Sequence, residues 1–394
     1  MKELSTRTAG FTDSVIRRMT RISDEYGAIN LSQGFPDFEP PKEITDRLAE
    51  VASQGPHQYA ITWGAKNFRE ALAEKQYHFY GMRLDPEREI TVTCGSTEAM
   101  MASMMSVCNP GDKVVIFSPF YENYGADTIL SGAEPVYVSL KPPTFNFDAN
   151  ELEYAIKQPG VKALILCNPS NPCGKVFSKD ELKIIAELAV KYDIYVITDE
   201  VYEHIVYKPY VHTCIANLPG MRERTLICNS LSKTYSITGW RLGYVIAPPE
   251  ITERVKKVHD FLTVGAPAPL MEAAVTGLRF QDAYYEELQN HYTHMRDLFL
   301  KGLEDIGLSF SRPQGAYYVL VDISEFGYES DLVFCEKMAE RVGVGAVPGS
   351  SFFREKENRY IRLHFAKQDE TLNAALDRLA DMKTKMTKIN NKNQ

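Results

Sequence analysis

The feature that most constrains the fold is the alternation of short apolar runs with helical patterns through the middle of the chain. The runs are rich in Val and Ile and predict strands at Glu89–Thr93, Lys113–Phe117, Ala163–Cys167, Ile194–Thr198, Thr225–Asn229 and Leu242–Ala247. Helices are predicted between them at Thr97–Ser106 and Lys179–Lys191, the second with Ser178 as N-cap and Glu181 in the capping-box position. This alternation predicts an α/β fold with a large, mainly parallel mixed sheet covered by helices on both faces.

The pattern changes after about residue 285. A long amphipathic helix from Ala283 to about Asp305 precedes a strand at Ala316–Val321, a helix near Asp331–Val342 and a strand at Tyr360–Phe365. These elements predict a smaller α+β domain. Because a compact domain needs more material, we expect the N-terminal stretch to pack with it. The predicted organisation is an N-terminal segment at 1–45 that joins the small domain, a large ligand-binding domain at 46–285 and a small C-terminal domain at 286–394.

Composition excludes several classes of protein. A formal net charge of -8 argues against a broad nucleic-acid-binding surface. The seven cysteines are scattered and include no CxxC pair, which argues against a disulfide framework or a metal site. The N-terminus has no apolar leader segment and no run has the length of a membrane span, so we expect a cytoplasmic protein. Lys383, Lys385, Lys388 and Lys392 are interpreted as a frayed, solvated tail.

Ligands bind at the carboxyl ends of the strands in open α/β sheets, so the residues after each predicted strand are the candidate site. Lys233 lies in a hydroxyl-rich segment that follows one of these strands, and Arg241 follows it in the same segment. A partly desolvated lysine can form an imine with a carbonyl compound, and the neighbouring hydroxyls and guanidinium suit a phosphate. A solvated loop lysine is the alternative, and for a lysine taken alone it is the better one.

Two further groups follow predicted strands. Gly95, Ser96 and Thr97 open a helix, whose free N–H groups and hydroxyls can hold an anion. Asp199 ends a strand with Tyr202 three residues on, and its carboxylate could keep a heteroaromatic nitrogen protonated. For Gly95 to Thr97 the alternative is an ordinary helix N-cap. For Asp199 it is an acid at a helix N-terminus or in a turn.

Asn171 and Arg362 complete the candidate set. Asn171 lies in an Asn-Pro-rich turn after a strand, and a simple turn is the alternative. Arg362 lies on a strand whose period-two pattern places Ile361, Leu363 and Phe365 on the opposite face. A guanidinium held on a strand can bind a carboxylate through two hydrogen bonds, whereas the alternative is an exposed or ion-paired arginine.

The order of these residues is more specific than any one of them. The chain resembles the class I and II pyridoxal-phosphate-dependent aminotransferases of fold type I, and the run from Ser230 to Tyr244 is the most specific part of the resemblance. The resemblance extends from Leu31 to Arg362. One departure is Cys173 at a position where the family commonly has threonine, and we expect little effect on the chemistry.

The resemblance implies that pyridoxal 5'-phosphate is the cofactor and assigns residues to its ring. Lys233 is implied to be the Schiff-base lysine and the base for the proton shift. Asp199 is implied to pair with the pyridine nitrogen, Tyr202 and Asn171 to bind the phenolate oxygen, and Tyr121 to stack on the ring.

It also assigns residues to the phosphate and to the substrate. Tyr59 is implied to reach the phosphate of the partner subunit, so a homodimer with shared active sites is expected. Arg362 is implied to bind the substrate α-carboxylate, assisted by Gly34 and Asn171. The phosphate ligands contributed within the chain are implied to be Gly95, Ser96, Thr97, Ser230 and Arg241.

The implied reaction is ping-pong transfer of an amino group from an L-amino acid to a 2-oxo acid, with 2-oxoglutarate the expected acceptor. A carbon–sulfur β-lyase of the same fold is one alternative. A non-catalytic, aminotransferase-like regulatory protein is another, although only about 30 residues precede Leu31 and they contain no basic recognition helix. A dinucleotide-binding dehydrogenase is disfavoured because no GxGxxG follows an early strand.

The donor amino acid stays open at this level. The segments around Gly34 and Tyr59 resemble the branch with kynurenine, glutamine and methionine aminotransferases, and the aspartate and aromatic enzymes are nearly as close. No second arginine or lysine for a distal carboxylate can be placed. Phe11, Phe35 and Trp63 indicate tolerance for large or apolar side chains, unless they are simply core residues.

Overall fold

A computed structural model describes residues 2–11 and 13–387. The strands are β1 (Ile29–Asn30), β2 (Ile90–Thr93), β3 (Lys113–Ser118), β4 (Glu134–Ser139), β5 (Val161–Cys167), β6 (Tyr195–Asp199), β7 (Thr225–Ser230), β8 (Gly243–Ile246), β9 (Phe310–Ser311), β10 (Tyr318–Asp322), β11 (Val344–Gly345), β12 (Val347–Pro348) and β13 (Tyr360–His364). The α-helices are α1 (Val15–Glu25), α2 (Lys42–Gln54), α3 (Lys66–Tyr80), α4 (Ser96–Val107), α5 (Asn123–Leu130), α6 (Ala149–Ile156), α7 (Lys179–Lys191), α8 (Pro249–Thr263), α9 (Ala268–Leu278), α10 (Asp282–Ile306), α11 (Asp331–Arg341), α12 (Asp369–Leu379) and α13 (Met382–Met386).

The larger sheet has the strand order β2-β8-β7-β6-β5-β3-β4. Strand β8 runs antiparallel to both of its neighbours, and the other neighbouring pairs are parallel. The predicted mainly parallel mixed sheet is therefore confirmed. Edge strand β4 was not predicted, because its mixed sequence, with a proline and only one fully buried position, lacks the apolar run of a central strand.

Successive residues of the central strands enter two different cores, as a sheet covered on both faces requires. Val115 and Leu164 pack in one core with α7, whereas Val114 and Ile165 pack in the other with α4. Helix α7 begins with the predicted capping box. Its apolar side chains repeat at helical spacing because one face of the helix covers the sheet.

The antiparallel direction of β8 brings one more chain segment to the carboxyl edge of the parallel strands. Gly243, the first residue of β8, pairs with Ser230 at the end of β7 and with Thr93 at the end of β2. Asp199 ends β6 beside Cys167 at the end of β5. The segments that follow β2, β5, β6 and β7 and the segment that precedes β8 therefore meet at one edge of the sheet.

The C-terminal part contains a smaller antiparallel sheet of order β12-β13-β10-β9, and helices α10 to α12 pack around its core. The N-terminal stretch joins this part, since β1 pairs in parallel with β11 and α1 packs on α11. The domain boundaries at 45 and 285 stay predictions.

The predicted tail is not frayed where the structure describes it, although Lys383 and Lys385 are exposed as predicted. Lys383 and Lys385 lie on α13, which is anchored by the fully buried Met382 and Met386. These two apolar residues recur at the i, i+4 spacing that places them on one helix face. Lys388 and Lys392 lie outside the described residues.

Three further expectations concern the described residues alone. No helix among them is long and apolar enough to cross a membrane. No group of side chains within them is arranged to hold a metal ion. All seven cysteines are free thiols, and all except Cys94 are buried.

Candidate active site

A cavity of about 780 Å³ opens at the carboxyl edge of the large sheet. Its wall combines residues from the N-terminal segment, from the ends of several strands and from the small sheet. The predicted site residues that line it are Gly34, Ser96, Thr97, Tyr121, Asn171, Asp199, Tyr202, Ser230, Lys233, Arg241 and Arg362.

Lys233 extends into this cavity from the segment after β7. Its Nζ donates a hydrogen bond to the carbonyl oxygen of Gly34 at 3.2 Å and lies 5.7 Å from the centre of the Tyr317 ring. Burial lowers the pKa of Lys233 to about 8, with the positive charges of Arg241 and Arg362 acting in the same direction and the charge of Asp199 opposing them. A substantial neutral fraction near physiological pH makes this amine a nucleophile and a base.

Asp199 lies at the end of β6 with only 6% of its surface exposed. Its Oδ2 accepts a hydrogen bond from the Tyr124 hydroxyl at 2.7 Å, and its Oδ1 accepts one from the Val201 N–H at 3.4 Å. Burial raises the pKa of Asp199 to about 6, while these hydrogen bonds lower it. Most of this carboxylate is therefore charged at neutral pH, and no cationic side chain of the described residues forms an ion pair with it.

The start of α4 and the start of β8 form an anion cradle. Helix α4 begins at Ser96, so the N–H groups of its first turn have no partner inside the helix. Arg241 has a left-handed backbone (φ 56°) and donates from Nη1 and Nη2 to the carbonyls of Thr238 and Cys94. A Cβ on Gly95 would lie 2.4 Å from Nη2 of Arg241, so a side chain there would fill the cradle.

Arg362 is buried and has no acidic partner within the described part of the chain, so the alternative of an exposed arginine is wrong. Only 1% of it is exposed, and its guanidinium lies between the rings of Tyr318 and Phe352, at 4.3 and 4.5 Å from their centres. Nη1 donates to Asn171 Oδ1 at 2.8 Å and Nη2 to the Ser32 carbonyl at 2.9 Å, whereas Nε is buried without a partner. A buried charge with a free donor facing a cavity is suited to an anionic ligand.

Tyr202 and Tyr121 occupy the aromatic part of the cavity. The hydroxyl of Tyr202 lies 3.0 Å from that of Tyr318, a residue that the sequence identified only as part of a strand. The ring of Tyr121 packs edge-on against Tyr124 with 5.8 Å between the ring centres. These rings give the cavity flat apolar walls with hydroxyl groups at defined points.

Two predicted site residues, Gly95 and Tyr59, do not line the cavity, and Gly95 lies between the lining residues Cys94 and Ser96. Tyr59 lies apart from the cavity of its own chain. It is 85% exposed on the loop before α3. Phe35 lines the cavity, but Phe11 and Trp63 do not, and Trp63 packs under Lys256 at 4.8 Å. The interpretation of Phe11 and Trp63 as cavity aromatics is therefore not supported within one chain.

A buried chain of polar groups joins the cradle to the Tyr59 loop. Glu98 Oε2 accepts from the Cys94 N–H, and Glu98 Oε1 lies 2.6 Å from Nδ1 of His259. The other ring nitrogen, Nε2, donates to the Thr62 carbonyl at 2.7 Å. The loop that carries Tyr59 is thus fixed to the first turn of α4.

Asp127 on α5 is a second buried carboxyl that sequence reasoning did not identify. It lines the cavity, is 5% exposed, and its Oδ2 is buried without a hydrogen-bond partner. Burial raises the pKa of Asp127 to about 7, and the charge of Asp199 adds to the rise. Nothing in its local sequence distinguishes it from an exposed helical aspartate, because its burial depends on packing between distant segments.

The family model and the similar proteins all identify aminotransferases. The family model for aminotransferase class I and II matches residues 26–379. The methionine aminotransferase of Escherichia coli K12 is 36% identical over 370 residues, which cover 94% of this chain and 96% of that protein. The human kynurenine–oxoglutarate transaminase 1 is 32% identical over 400 residues, which cover 93% of this chain and 95% of that protein.

A solved structure agrees with these sequence relatives. The N-succinyldiaminopimelate aminotransferase of Mycobacterium tuberculosis superposes with a TM-score of 0.93 at 35% identity, covering 96% of this chain and 99% of that one. The three proteins are named for transamination but differ in the substrate that their names give. The comparisons therefore identify the class of reaction and leave the amino-acid substrate undetermined.

Proposed function

The chain belongs to the class I and II aminotransferases, and from that membership we propose that pyridoxal 5'-phosphate binds at Lys233 and that Arg362 binds the substrate. As a transaminase of this family, the enzyme moves an amino group from an amino acid to a 2-oxo acid. The observation that carries the assignment of the site is the convergence of a partly buried lysine, a buried carboxylate and a buried arginine on one cavity.

The residues of the cavity fit this cofactor at both of its ends. The cradle at Gly95 and Arg241 offers N–H, hydroxyl and guanidinium donors to a phosphate, with further hydroxyls from Ser96, Thr97 and Ser230. The buried carboxylate of Asp199 lacks a cationic partner, and a protonated pyridine nitrogen would supply one. Tyr202 and Asn171 offer a hydroxyl and an amide to the phenolate oxygen, and Tyr121 offers a ring for stacking.

When bound, pyridoxal 5'-phosphate supplies an aldehyde that exchanges amino groups and a protonated ring that accepts the electrons released at the substrate Cα. Asp199 maintains the charge required for this chemistry, because its own negative charge favours protonation of the nitrogen beside it. The Tyr124 hydroxyl keeps that carboxylate ionised and oriented.

Lys233 has two tasks in this proposal. Its neutral amine attaches the cofactor, and once free it accepts the proton from the Cα of the bound amino acid. The lowered pKa of Lys233 serves both tasks, since a protonated ammonium can do neither. The Gly34 carbonyl, which accepts hydrogen bonds from Lys233 Nζ and from the Tyr317 hydroxyl at 2.8 Å, fixes the amine at the substrate side of the cavity.

Arg362 binds the α-carboxylate of both the amino acid and the 2-oxo acid. Stacking and hydrogen bonds already hold its guanidinium in one orientation. Its Nε has no hydrogen-bond acceptor, and a substrate carboxylate would supply one. The proposed acceptor is 2-oxoglutarate, the acceptor named in the human relative.

We also propose a homodimer in which Tyr59 of each subunit reaches the phosphate of the other. The loop that carries Tyr59 also exposes Ile61, and its Thr62 contacts His259 and Gly265 at the end of α8, where Phe261, Leu262 and Val264 are exposed. Leu262 and Thr263 line the cavity itself, so this surface continues into the site. Contiguous exposed apolar residues on a monomer mark a protein interface, and a second copy would cover them and complete the cradle.

A cytoplasmic location belongs to the same proposal. Its support is that all seven cysteines are free and that none of them forms a disulfide with another. Free buried thiols are typical of proteins from reducing compartments.

An absorbance-monitored half-reaction tests the proposed function. The purified enzyme with bound cofactor is mixed with a panel of L-amino acids, and we expect the imine absorbance to disappear with the preferred donors and to return with 2-oxoglutarate. Lys233→Ala should lack both the absorbance and turnover. Lys175→Met is the matched control, because Lys175 is also buried but pairs with Glu181 outside the cavity.

The same experiment separates a transaminase from a carbon–sulfur β-lyase. A lyase would release pyruvate from cystathionine without any added 2-oxo acid, whereas a transaminase needs the second substrate to turn over. Normal turnover by Lys233→Ala would contradict the assignment of the lysine.

A further inference from the structure

Arg17 on α1 is a cationic side chain of the cavity wall, and the proposed function assigns it no role. The other cations of that wall in the described residues are Lys233, Arg241 and Arg362, which the proposal assigns to the cofactor and to the α-carboxylate. Arg17 is exposed, and its guanidinium forms no ion pair or hydrogen bond with any described residue. A charged group of the cavity wall is therefore available to a ligand.

The helix geometry explains why Arg17 faces the cavity. Thr20, one turn later on the same face of α1, lies with its Oγ1 3.1 Å from Oε1 of Gln33, next to Gly34. At the start of the helix, the Ser14 hydroxyl donates to Glu122, next to Tyr121. Helix α1 thus spans the opening between two segments that line the cavity, with Arg17 between these two anchors.

The adjacent arginine has a different environment. Arg18 projects from α1 about 100° around the helix from Arg17, and its Nη2 forms an ion pair with Glu336 of α11 at 2.5 Å. One arginine therefore fixes the helix to the small domain, and the other is left facing the cavity.

We propose that Arg17 binds the distal carboxylate of dicarboxylic substrates, namely L-glutamate or L-aspartate and their 2-oxo acids, while Arg362 holds the α-carboxylate. This inference rests on the proposed function of the same site. Two guanidinium groups on one cavity wall match two carboxylates on one substrate. Ile16 and Phe35 line the same cavity and provide apolar surface that a methylene chain between the two carboxylates would contact.

The acidic groups of the wall do not neutralise Arg17. Glu98 is occupied by His259, Thr263 and the Cys94 N–H, and Asp199 is bound by Tyr124. Glu122 lies nearer to α1 and accepts from Ser14, but neither it nor Asp127, the remaining acid of the wall, forms an ion pair with Arg17. A substrate carboxylate would be the first anion to pair with this guanidinium.

The test compares L-glutamate with L-glutamine, which has the same shape without the charge. We expect Arg17→Gln to lower kcat/KM for glutamate and 2-oxoglutarate about tenfold, mainly through KM, because the arginine is exposed and its ion pair is partly screened. The values for glutamine and for methionine should stay within about twofold. Arg17→Lys should retain part of the preference, and the preference of the wild type should weaken as salt concentration rises.

Arg18→Gln is the matched control, since it removes a neighbouring charge from the same helix without touching the cavity wall. Equal losses on glutamate and glutamine in Arg17→Gln would overturn the inference, as would a wild type that uses glutamine or methionine but neither glutamate nor 2-oxoglutarate. Failure of the proposed function is a separate outcome, in which the wild type gives no half-reaction with any amino acid.

Discussion

The Tyr124 hydroxyl lies 2.7 Å from Oδ2 of Asp199 and donates a hydrogen bond to it inside the core of the large domain. Burial holds the pKa of Tyr124 well above its usual value, so this hydroxyl stays protonated and acts as a permanent donor. The pair connects α5 to the end of β6, and the charge of the site carboxylate therefore depends on a residue outside the strand that carries it.

Tyr124→Phe should raise the pKa of Asp199 further above about 6, because the ionised carboxylate loses its shortest hydrogen bond. We expect the acidic limb of the pH profile of kcat/KM to move to higher pH and the activity at pH 7 to fall about tenfold. The measurement is a steady-state pH profile. Tyr192→Phe is the control, because it removes a similar bond to Glu153 far from the cavity, and an identical shift in both variants would contradict the prediction.

Capture of pyridoxal 5'-phosphate by the apoenzyme should follow the ionisation of Lys233. Only the neutral amine attacks an aldehyde, and burial lowers the pKa of Lys233 to about 8. The capture rate should rise about tenfold between pH 7 and pH 9 and then level off, whereas an ordinary lysine would continue to gain reactivity. Stopped-flow absorbance with N-acetyl-lysine as the reference measures this, and a rate that keeps rising above pH 9 would show an ordinary amine.

Tyr59 should act in trans, and hybrid dimers test this directly. Lys233→Ala and Tyr59→Ala homodimers are each expected to be inactive or weak. A hybrid of the two contains one site with both native residues if Tyr59 crosses the interface, so roughly half of the wild-type activity should return. Differently tagged subunits allow the hybrid to be isolated. No recovery in a verified hybrid would place Tyr59 outside the partner's site, and a monomer in ultracentrifugation would exclude the dimer itself.

Asp127→Asn should stabilise the apoenzyme at neutral and alkaline pH. Burial raises the pKa of Asp127 to about 7 from its usual value near 4, so the folded state retains a proton that the unfolded chain releases. The free energy of unfolding therefore falls as pH rises from about 4 to about 7, by up to about 1.4 kcal/mol for each pKa unit, and stays lower above that range.

The amide cannot ionise, so we expect the gain in Tm of Asp127→Asn to grow between pH 5 and pH 7 and to reach several degrees at pH 8. Differential scanning calorimetry of the apoenzyme measures the shift. Asp260→Asn, at an exposed position on α8, is the control that should show no such dependence. A constant difference across the pH range would mean that the titration of Asp127 does not contribute.

Sequence reasoning located the residues whose order along the chain is itself informative. Lys233, Asp199 and Arg362 follow or lie within apolar strands, and the topology of a parallel sheet brings strand ends together. Edge strand β4 and the partners of the site residues were not predicted, because their local sequence carries no distinctive pattern. Tyr124 and Tyr318 act through contacts with residues far away in the sequence, and no local pattern distinguishes such tyrosines from ordinary core residues.

Arg17 and Asp127 are charged residues that the local sequence also could not assign to the cavity. Both lie on helices with ordinary amphipathic patterns, where a charged residue is normally solvated. Their places in the cavity wall follow from how α1 packs on α11 and how α5 packs on α4 and the large sheet. Tyr59 is the opposite case, since its proposed role depends on a second chain that no property of the first chain specifies.

The hydrogen bonds from Arg362 to Asn171 and to Ser32 span 191 and 330 residues of sequence. Ribosomes release a chain from its N-terminus, so every strand of the large sheet is synthesised before β13. The side of the cavity that would hold the cofactor can thus be built while the substrate clamp does not yet exist. On the proposed assignments, the residues for the cofactor therefore come earlier in synthesis than the arginine for the substrate carboxylate.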